Sequence, residues 1–215
     1  MLTQSHLHSG AALSTGLCRV VIAIPGIHWA LTGQWLFAGV ALVCLALTLL
    51  LPRLVQDPEL KETARVLGAL LIAAHVALGM YLELYERSRY YDKFAHFLGM
   101  GAIAVYLRTA VQRHCHKAGL RLPSGALALI AVSGAISLGA LWELFEFALD
   151  QTGLFVTQRG LTDTMLDLLA NALGALSARW RILADPVCDA HQPLRPARLA
   201  KPLPGAPWTY STSAH

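Results

Sequence analysis

Seven polar residues inside otherwise apolar stretches have the spacing of a helical surface. Asp92 precedes His96 by four residues, and Glu143 precedes Glu146 by three. Residues three or four apart lie on the same face of an α-helix. The sequence therefore predicts three helices that each present one polar face. The third face consists of three residues spaced four apart, which are Asp163, Asp167 and Asn171.

Carboxylates combined with an imidazole form a ligand set suited to a divalent cation such as Zn²⁺, Mg²⁺, Mn²⁺ or Ca²⁺. The spacings of three and four residues allow two side chains of one helix to reach the same ion. Asn171 is a supporting residue, because its amide can both donate and accept hydrogen bonds. The candidate metal ligands are His96, Glu143, Glu146, Asp163 and Asp167.

The same residues also suit a network without a metal. Lys93, Arg159 and Arg89 would then pair with the carboxylates, and His96 would only hydrogen-bond one of them. A structural or proton-linked network is therefore the alternative to a metal site.

A bound metal would give three neighbouring residues candidate catalytic roles. The metal would lower the pKa of a bound water, and a spare carboxylate would act as the base. Lys93 or Arg159 would hold a substrate phosphate. Asp92 is the third catalytic candidate.

The segments that carry these residues are predicted to cross a membrane. Apolar residues make up 55% of the chain and charged residues 14%, with a mean hydropathy of +0.50. A soluble domain has about 25% charged residues. We therefore predict an all-α, polytopic transmembrane bundle of about six spans, since one span needs about 20 apolar residues. The predicted spans are residues 12–31, 34–51, 64–85, 94–111, 125–149 and 161–178.

The spans define one transmembrane domain, residues 12–181, after a cytoplasmic N-terminus at residues 1–11. Six of the ten prolines lie beyond Asp185. A polar, proline-rich segment cannot bury enough apolar surface to fold. Residues 182–215 are therefore predicted to be a disordered cytoplasmic tail.

Lysine and arginine residues are unevenly distributed between the two sides of the bundle. If both termini are inside, twelve cations of the loops, helix ends and tail are cytoplasmic. Cytoplasmic loops of membrane proteins carry this excess. We predict a multi-pass protein of the bacterial inner membrane with both termini in the cytoplasm. The cations left outside are Arg87, Arg89, Lys93 and Arg159.

Several classes of site and partner gain no support from the sequence. The chain has no P-loop, G-x-G-x-x-G, G-x-S-x-G or H-E-x-x-H motif. Its net charge of +4 is explained by membrane orientation, so we expect membrane lipids and no nucleic acid as partners. Its four cysteines lack metal-binding spacing and are expected to be free thiols.

Three sequence blocks carry a family resemblance. They run from Tyr91 to Gly99, from Trp142 to Phe147 and from Gly160 to Leu168. In this order they resemble the YjdF-type family of bacterial inner-membrane proteins and, more distantly, VanZ-like proteins. The VanZ-like pattern includes a ladder that reads here Arg159, Asp163, Asp167, Asn171. The resemblance implies a multi-pass membrane protein of uncharacterised molecular function, and the VanZ-like link to glycopeptide resistance implies envelope chemistry at the outer leaflet.

Three functions are compatible with these features. The first is a metal-dependent enzyme that acts on a lipid-linked phosphate or an envelope glycolipid at the outer face. The second is a proton- or cation-linked transporter, although the chain shows no clear inverted repeat. The third is a non-catalytic envelope or assembly protein in which the polar residues only specify helix packing.

The predicted orientation can be tested with reporter fusions. Fusions after Thr63 and Ala184 should report the cytoplasm, and fusions after Arg89 and Thr157 should report the outer side, because of the asymmetry in cations. The inverse pattern would contradict the placement of the acidic residues on the outer side.

Overall fold

The chain folds into long helices, as the sequence predicts. The computed structural model describes residues 2–183, with side chains described from Ser9 to Arg179. Within this part of the chain there is no strand, so the prediction of an all-α bundle is confirmed. Only the first two residues of the predicted tail fall in the described part, where they end the last helix.

Seven α-helices follow one another within residues 2–183. A 3₁₀ turn (Leu51–Leu54) follows the second helix, and a π-helical segment (Ala74–Tyr81) continues the third. The α-helices are α1 (Leu2–Leu31), α2 (Trp35–Leu50), α3 (Pro58–Ala73), α4 (Leu84–Arg87), α5 (Tyr91–Lys117), α6 (Ser124–Asp150) and α7 (Leu161–Leu183). Five of the six predicted spans each coincide with one long helix, whereas the third, residues 64–85, covers the end of α3, the π-helical segment and the start of α4. The largest difference is at the start of α1, which begins at Leu2 rather than near residue 12.

Five helical segments of residues 2–183 are long and apolar enough to cross a membrane. The sixth predicted span corresponds to α7, which does not meet this criterion because Asp163, Asp167 and Asn171 lower its apolar content. A total of six spans therefore stays a prediction. The five segments are Ser9–Leu31, Trp35–Leu54, Pro58–Tyr81, Tyr91–Lys117 and Ser124–Asp150.

Helix α7 nevertheless has the surface expected of a membrane helix, with polar side chains buried and apolar side chains exposed. Its polar residues Asp167 and Asn171 are buried against the other helices. A hydrophobic stripe on the opposite face is exposed, as expected of a face in contact with lipid tails. The stripe consists of Leu161, Met165, Leu169, Leu173 and Leu176.

Helices α1, α2 and α3 form one half of the bundle. The turn between α1 and α2 contains Gly33, whose φ of 78° lies in the left-handed region that glycine adopts without strain. Ile22, Ala69 and Val76 are fully buried between these helices. His28, near the end of α1, contacts Tyr81, at the end of the π-helical segment. These two ends therefore lie on the same side of the bundle.

Helices α5, α6 and α7 form the other half, which is packed with small residues. Alanines such as Ala104, Ala131 and Ala175 are fully buried at the centre of this half. The closest approach is at Gly174 of α7, where an added Cβ would lie 2.0 Å from the carbonyl oxygen of Phe97. Small residues at membrane helix contacts let the backbones pack closely.

An ion-pair cluster joins the two halves on the side opposite to His28. Asp57 caps α3 by accepting hydrogen bonds from the amides of Glu59 and Leu60, and its other oxygen lies 2.7 Å from Lys117 Nζ. Arg113 Nε donates to the same carboxylate at 3.1 Å. The hydrogen bond from Lys117 is the main reason that the pKa of Asp57 lies well below its usual range. This carboxylate therefore fixes the start of α3 against the end of α5.

The packing at Gly174 makes a prediction about stability. Gly174→Ala should lower the free energy of unfolding by about 1–3 kcal/mol, because the new methyl group meets a backbone oxygen that cannot move by itself. Thermal unfolding in detergent measures this change. Gly68→Ala is the matched control, because an added Cβ in α3 meets nothing within 4 Å. Equal stability of the two variants would contradict the inferred close contact.

Candidate functional site

The polar residues predicted from the sequence lie at one end of the α5–α7 half. Asp92 and His96 are in the first two turns of α5, and Asp163 and Asp167 are in the first two turns of α7. Glu143 is near the end of α6, which runs antiparallel to both. The ends of the three helices meet, so their polar faces converge. We call the residues Asp92, Lys93, His96, Glu143, Glu146, Asp163, Asp167 and Asn171 the polar cluster.

His96 is at the centre of the polar cluster. Its Nδ1 lies 2.9 Å from Oδ1 of Asn171. A carbonyl oxygen can only accept, so Nδ1 donates the hydrogen, and in a neutral ring Nε2 then carries a lone pair. This Nε2 faces three carboxylates, at 3.5 Å from Asp92 Oδ1, 3.6 Å from Glu143 Oε1 and 3.9 Å from Asp167 Oδ1. Asn171 therefore fixes the orientation of the ring, and the lone pair points at the acids.

Glycine at one position makes this arrangement possible. A Cβ on Gly139 of α6 would lie 2.7 Å from the side-chain amide of Asn171. Any larger residue would push Asn171 away from His96. Asn171 is only 1% exposed, which fits the predicted supporting role for an amide deeper in the bundle.

Lys93 is the cation of the polar cluster. Its Nζ lies 2.9 Å from Asp167 Oδ2 and 3.1 Å from Asp92 Oδ2, and it also contacts Asp163. A second contact holds Asp163, which accepts a hydrogen bond from the backbone amide of Arg159 at 3.2 Å. One ammonium thus serves three aspartates from two helices.

Two carboxylate oxygens in the polar cluster are buried without any hydrogen-bond partner. They are Oε1 of Glu143 and Oδ1 of Asp167, and they are the same atoms that face Nε2 of His96. Glu143 is 4% exposed and Asp167 is 2% exposed. Buried carboxylate oxygens are almost always hydrogen-bonded, paired with a cation or bound to a metal. These two atoms are therefore positioned for a further partner next to the imidazole.

The charges of the polar cluster do not balance. Among the residues whose side chains are described, five carboxylates, from Asp92, Glu143, Glu146, Asp163 and Asp167, face the single ammonium of Lys93, and the imidazole of His96 adds a positive charge only when it is protonated. Glu146 receives only a neutral hydrogen bond, from Trp142 Nε1 at 2.8 Å. An excess of negative charge at a low-dielectric site is neutralised by protons or by bound cations.

The donor atoms form two overlapping groups with the dimensions of a metal site. Asp92, His96 and Asp167 each offer an atom within 4.8 Å of the other two, and so do His96, Glu143 and Glu146. His96 belongs to both groups. Bond lengths of about 2.0–2.2 Å to a central ion place ligand atoms about 3–4 Å apart, so the 3.5–3.9 Å distances from Nε2 fit a cation in either group. The donor chemistry and the two buried oxygens without partners fit a divalent metal.

Two predicted site residues are placed differently from the others. The guanidinium of Arg159 is directed away from the polar cluster and pairs with exposed Glu86 at 2.8 Å. Asp163 is held by Lys93 and belongs to neither group of donor atoms. Glu83, which we did not assign to the site, is exposed and pairs with Arg87.

The loop between α6 and α7 contributes a residue that the sequence did not indicate. Gln158 Nε2 donates to the backbone oxygen of Glu143 at 3.0 Å and to its Oε2 at 3.3 Å. Asp150 holds this loop in place by accepting hydrogen bonds from Thr157 and from the amide of Gln158. Gln158 thus fixes one oxygen of Glu143 and leaves the other directed at His96. A lone glutamine in a loop has no spacing pattern that would have revealed it.

Aromatic residues form the wall of the polar cluster on the side of α3. Tyr85 lies 2.8 Å from His75 Nδ1. Burial raises the pKa of the Tyr85 hydroxyl, so the hydroxyl stays protonated and shares a hydrogen bond with Nδ1 of His75. The ring of His75 also meets Trp142, the hydrogen-bond donor to Glu146. His75 therefore supports the polar cluster through its neighbours.

The position of Lys93 predicts a large difference between two cations on the same side. Lys93→Met leaves three carboxylates without their ammonium and should destabilise the protein by roughly 3 kcal/mol, as expected for breaking a mostly buried ion pair. Arg159→Met removes a largely exposed pair and should cost at most about 1 kcal/mol. Thermal unfolding in detergent compares them. Similar losses in both variants would contradict the central position of Lys93.

Comparisons with known proteins place the chain in a family without assigning an activity. An uncharacterised protein of Thermotoga maritima is 32% identical over 121 residues, which cover 56% of this chain and 62% of that protein. The matched part of the chain thus spans less than two thirds of that relative. No solved structure matches the chain. The family model described as "Predicted membrane protein (DUF2238)" matches residues 11–184, which include all the described helices except the first turns of α1. The chain therefore belongs to this family of membrane proteins.

Proposed function

We propose that this protein is an integral-membrane enzyme that uses a divalent metal to act on a phosphate group of a lipid or lipid-linked substrate. The observation that carries the proposal is the pair of buried, unpartnered oxygens of Glu143 and Asp167 beside Nε2 of His96. A purely structural cluster would be expected to pair these atoms. Their orientation toward Nε2 of His96, the residue shared by both donor groups, favours a cation beside the ring.

The residues that would hold the metal are His96, Asp92 and Asp167, whose donor atoms form one group, and Glu143 lies next to His96. A mixed imidazole and carboxylate set suits Zn²⁺ or Mn²⁺ better than Ca²⁺, which prefers oxygen ligands alone. Asn171 would fix the ring, as hydrogen-bond partners of metal-bound histidines commonly do. A metal in this position would lower the pKa of a bound water and polarise a phosphoryl oxygen.

Other residues in and beside the polar cluster would transfer a proton and bind the substrate phosphate. Glu146 belongs to one donor group with His96, and only one of its two carboxylate oxygens accepts the hydrogen bond from Trp142. It is therefore the spare carboxylate best placed to accept a proton from water. Lys93 is occupied by three aspartates and serves mainly to position them. Arg159 lies at the rim, where its exposed guanidinium is available to a phosphate in exchange for Glu86.

A groove beside Glu143 suits the apolar part of a lipid. The groove runs between α6 and α7, has a volume of about 660 Å³ and is lined mainly by apolar side chains such as Leu144, Phe147, Leu161 and Met165. Glu143 lines the groove and also faces His96. An acyl or prenyl chain in this groove would bring its head group to the polar cluster. With the predicted orientation, the substrate comes from the outer leaflet of the inner membrane.

Metal analysis of purified protein tests this proposal. Wild type purified without chelator, after growth with Zn²⁺ and Mn²⁺, should retain close to one ion per chain, and His96→Ala and Asp167→Asn should lose it because each removes a ligand. Glu83→Gln is the matched control, since it removes an exposed carboxylate on the same side outside the polar cluster. Near-zero metal in the wild type would overturn the metal proposal and favour a proton-linked or structural network.

A further inference from the structure

A second polar site lies at the opposite end of the molecule from the polar cluster, between α1, α2 and α3. It is a pocket of about 280 Å³. Four cations line it, whereas its lining contains a single acid, Glu62. The four cations are Arg19, Arg53, Lys61 and Arg65. We call this cavity the basic pocket.

Arg19 forms the floor of the basic pocket. Its side chain is directed at the end of α2. Its Nε donates to the hydroxyl of Thr48 at 3.2 Å, and one terminal nitrogen donates to the backbone carbonyl of Thr48 at 3.0 Å. This carbonyl belongs to the last turn of α2, where cations are stabilised by the helix dipole. The guanidinium is therefore rigidly held, with its second terminal nitrogen left for another acceptor.

Among the residues that the structure describes, Arg53 and Lys61 have no acidic partner, and Arg65 is only partly paired. Arg65 pairs with Glu62 through one terminal nitrogen, but its Nε is buried and makes no hydrogen bond. Arg53 and Lys61 are exposed at the mouth of the pocket. Because a buried guanidinium nitrogen without an acceptor is costly, Arg65 Nε favours an added acceptor, and the neighbouring cations suit one with negative charge.

We propose that the basic pocket binds the phosphate of an anionic phospholipid head group. Arginine and lysine donors converging from three helices match the several acceptor oxygens of a phosphate. The position favours a lipid over a free ion. Arg19 lies twelve residues before Leu31, which is about 18 Å along α1 from the end that lies on the cluster side. Arg53 in the 3₁₀ turn and Lys61 in the first turn of α3 place the mouth of the pocket at the opposite membrane surface, which is predicted to be cytoplasmic.

The surroundings of the pocket fit the rest of a lipid molecule. Leu49 and Pro52 form its apolar wall, and Leu50, Leu51 and Leu54 next to them are exposed. Leucines exposed on a membrane helix end contact acyl chains. The site is therefore a basic cavity with an adjacent lipid-facing surface, which distinguishes it from a solvated basic loop.

The full-length protein in detergent allows a direct test. The midpoint of thermal unfolding should rise with the concentration of dioctanoyl phosphatidylglycerol, because a ligand that binds only the folded state stabilises it. Equal concentrations of dioctanoyl phosphatidylcholine should raise it less, since that head group adds a positive charge. An equal response to the two lipids would overturn the proposal.

Two double variants separate the basic pocket from general charge effects. Arg53→Gln with Lys61→Gln should weaken the apparent affinity for phosphatidylglycerol by at least about tenfold, since each cation near the membrane surface contributes roughly 1 kcal/mol. Both side chains are exposed, so the variant should fold. Arg87→Gln with Arg89→Gln removes the same charge on the cluster side and should leave the affinity unchanged. Equal losses in both would contradict a specific site.

Two further arms identify the source of the phosphate and keep this proposal separate from the proposed function. Inorganic phosphate at the same concentration should stabilise the wild type less than the lipid does. Equal stabilisation would retain the anion site but overturn its assignment to a lipid. His96→Ala should keep the full response to phosphatidylglycerol, because the polar cluster lies at the other end of the bundle. Loss of that response would contradict an independent pocket.

Discussion

The close packing of α5 against α7 is the contact on which the polar cluster depends. Gly174 lets the backbone of α7 approach the carbonyl of Phe97 more closely than any other residue would allow. One turn beyond that contact, His96 reaches Asn171, and at the ends of the helices Lys93 reaches Asp163 and Asp167. Hydrogen-bond distances near 3 Å leave little tolerance for a wider spacing. The small residues at the contact between α5 and α7 are thus necessary for the geometry of the polar cluster.

Burial of so much negative charge is the second physical constraint. An ionised carboxylate in a membrane helix is costly unless it is paired or solvated. Lys93 meets this need for Asp92, Asp163 and Asp167, whereas Glu143 and Glu146 have only His96, Gln158 and Trp142 nearby. The neutral donors orient these two glutamates without compensating their charge. This uneven distribution is what favours a bound cation at the imidazole rather than elsewhere in the cluster.

The two halves of the bundle carry opposite polar features at opposite ends. Carboxylates gather where α5 and α7 begin, and cations gather where α2 ends and α3 begins. Asp57 joins the halves near the basic end through Lys117 and Arg113, while His75 and Tyr85 bring α3 into contact with the wall of the acidic end. The same asymmetry that predicts the orientation of the chain thus also separates an acidic candidate site from a basic one.

The sequence by itself determined the helical class, the positions of the long helices and the polar faces. Hydrophobic length and helical spacing are local properties, so Asp92 with His96, and Asp163 with Asp167, could be assigned to common faces without coordinates. Which residues meet across helices is a property of packing. Only the tertiary structure decided that Lys93 forms ion pairs with three aspartates, whereas Arg159 pairs with Glu86. It also decided that Gln158 donates to Glu143 and that Arg19 binds the end of α2. These contacts depend on loop paths and interhelical distances, which no spacing within one helix encodes.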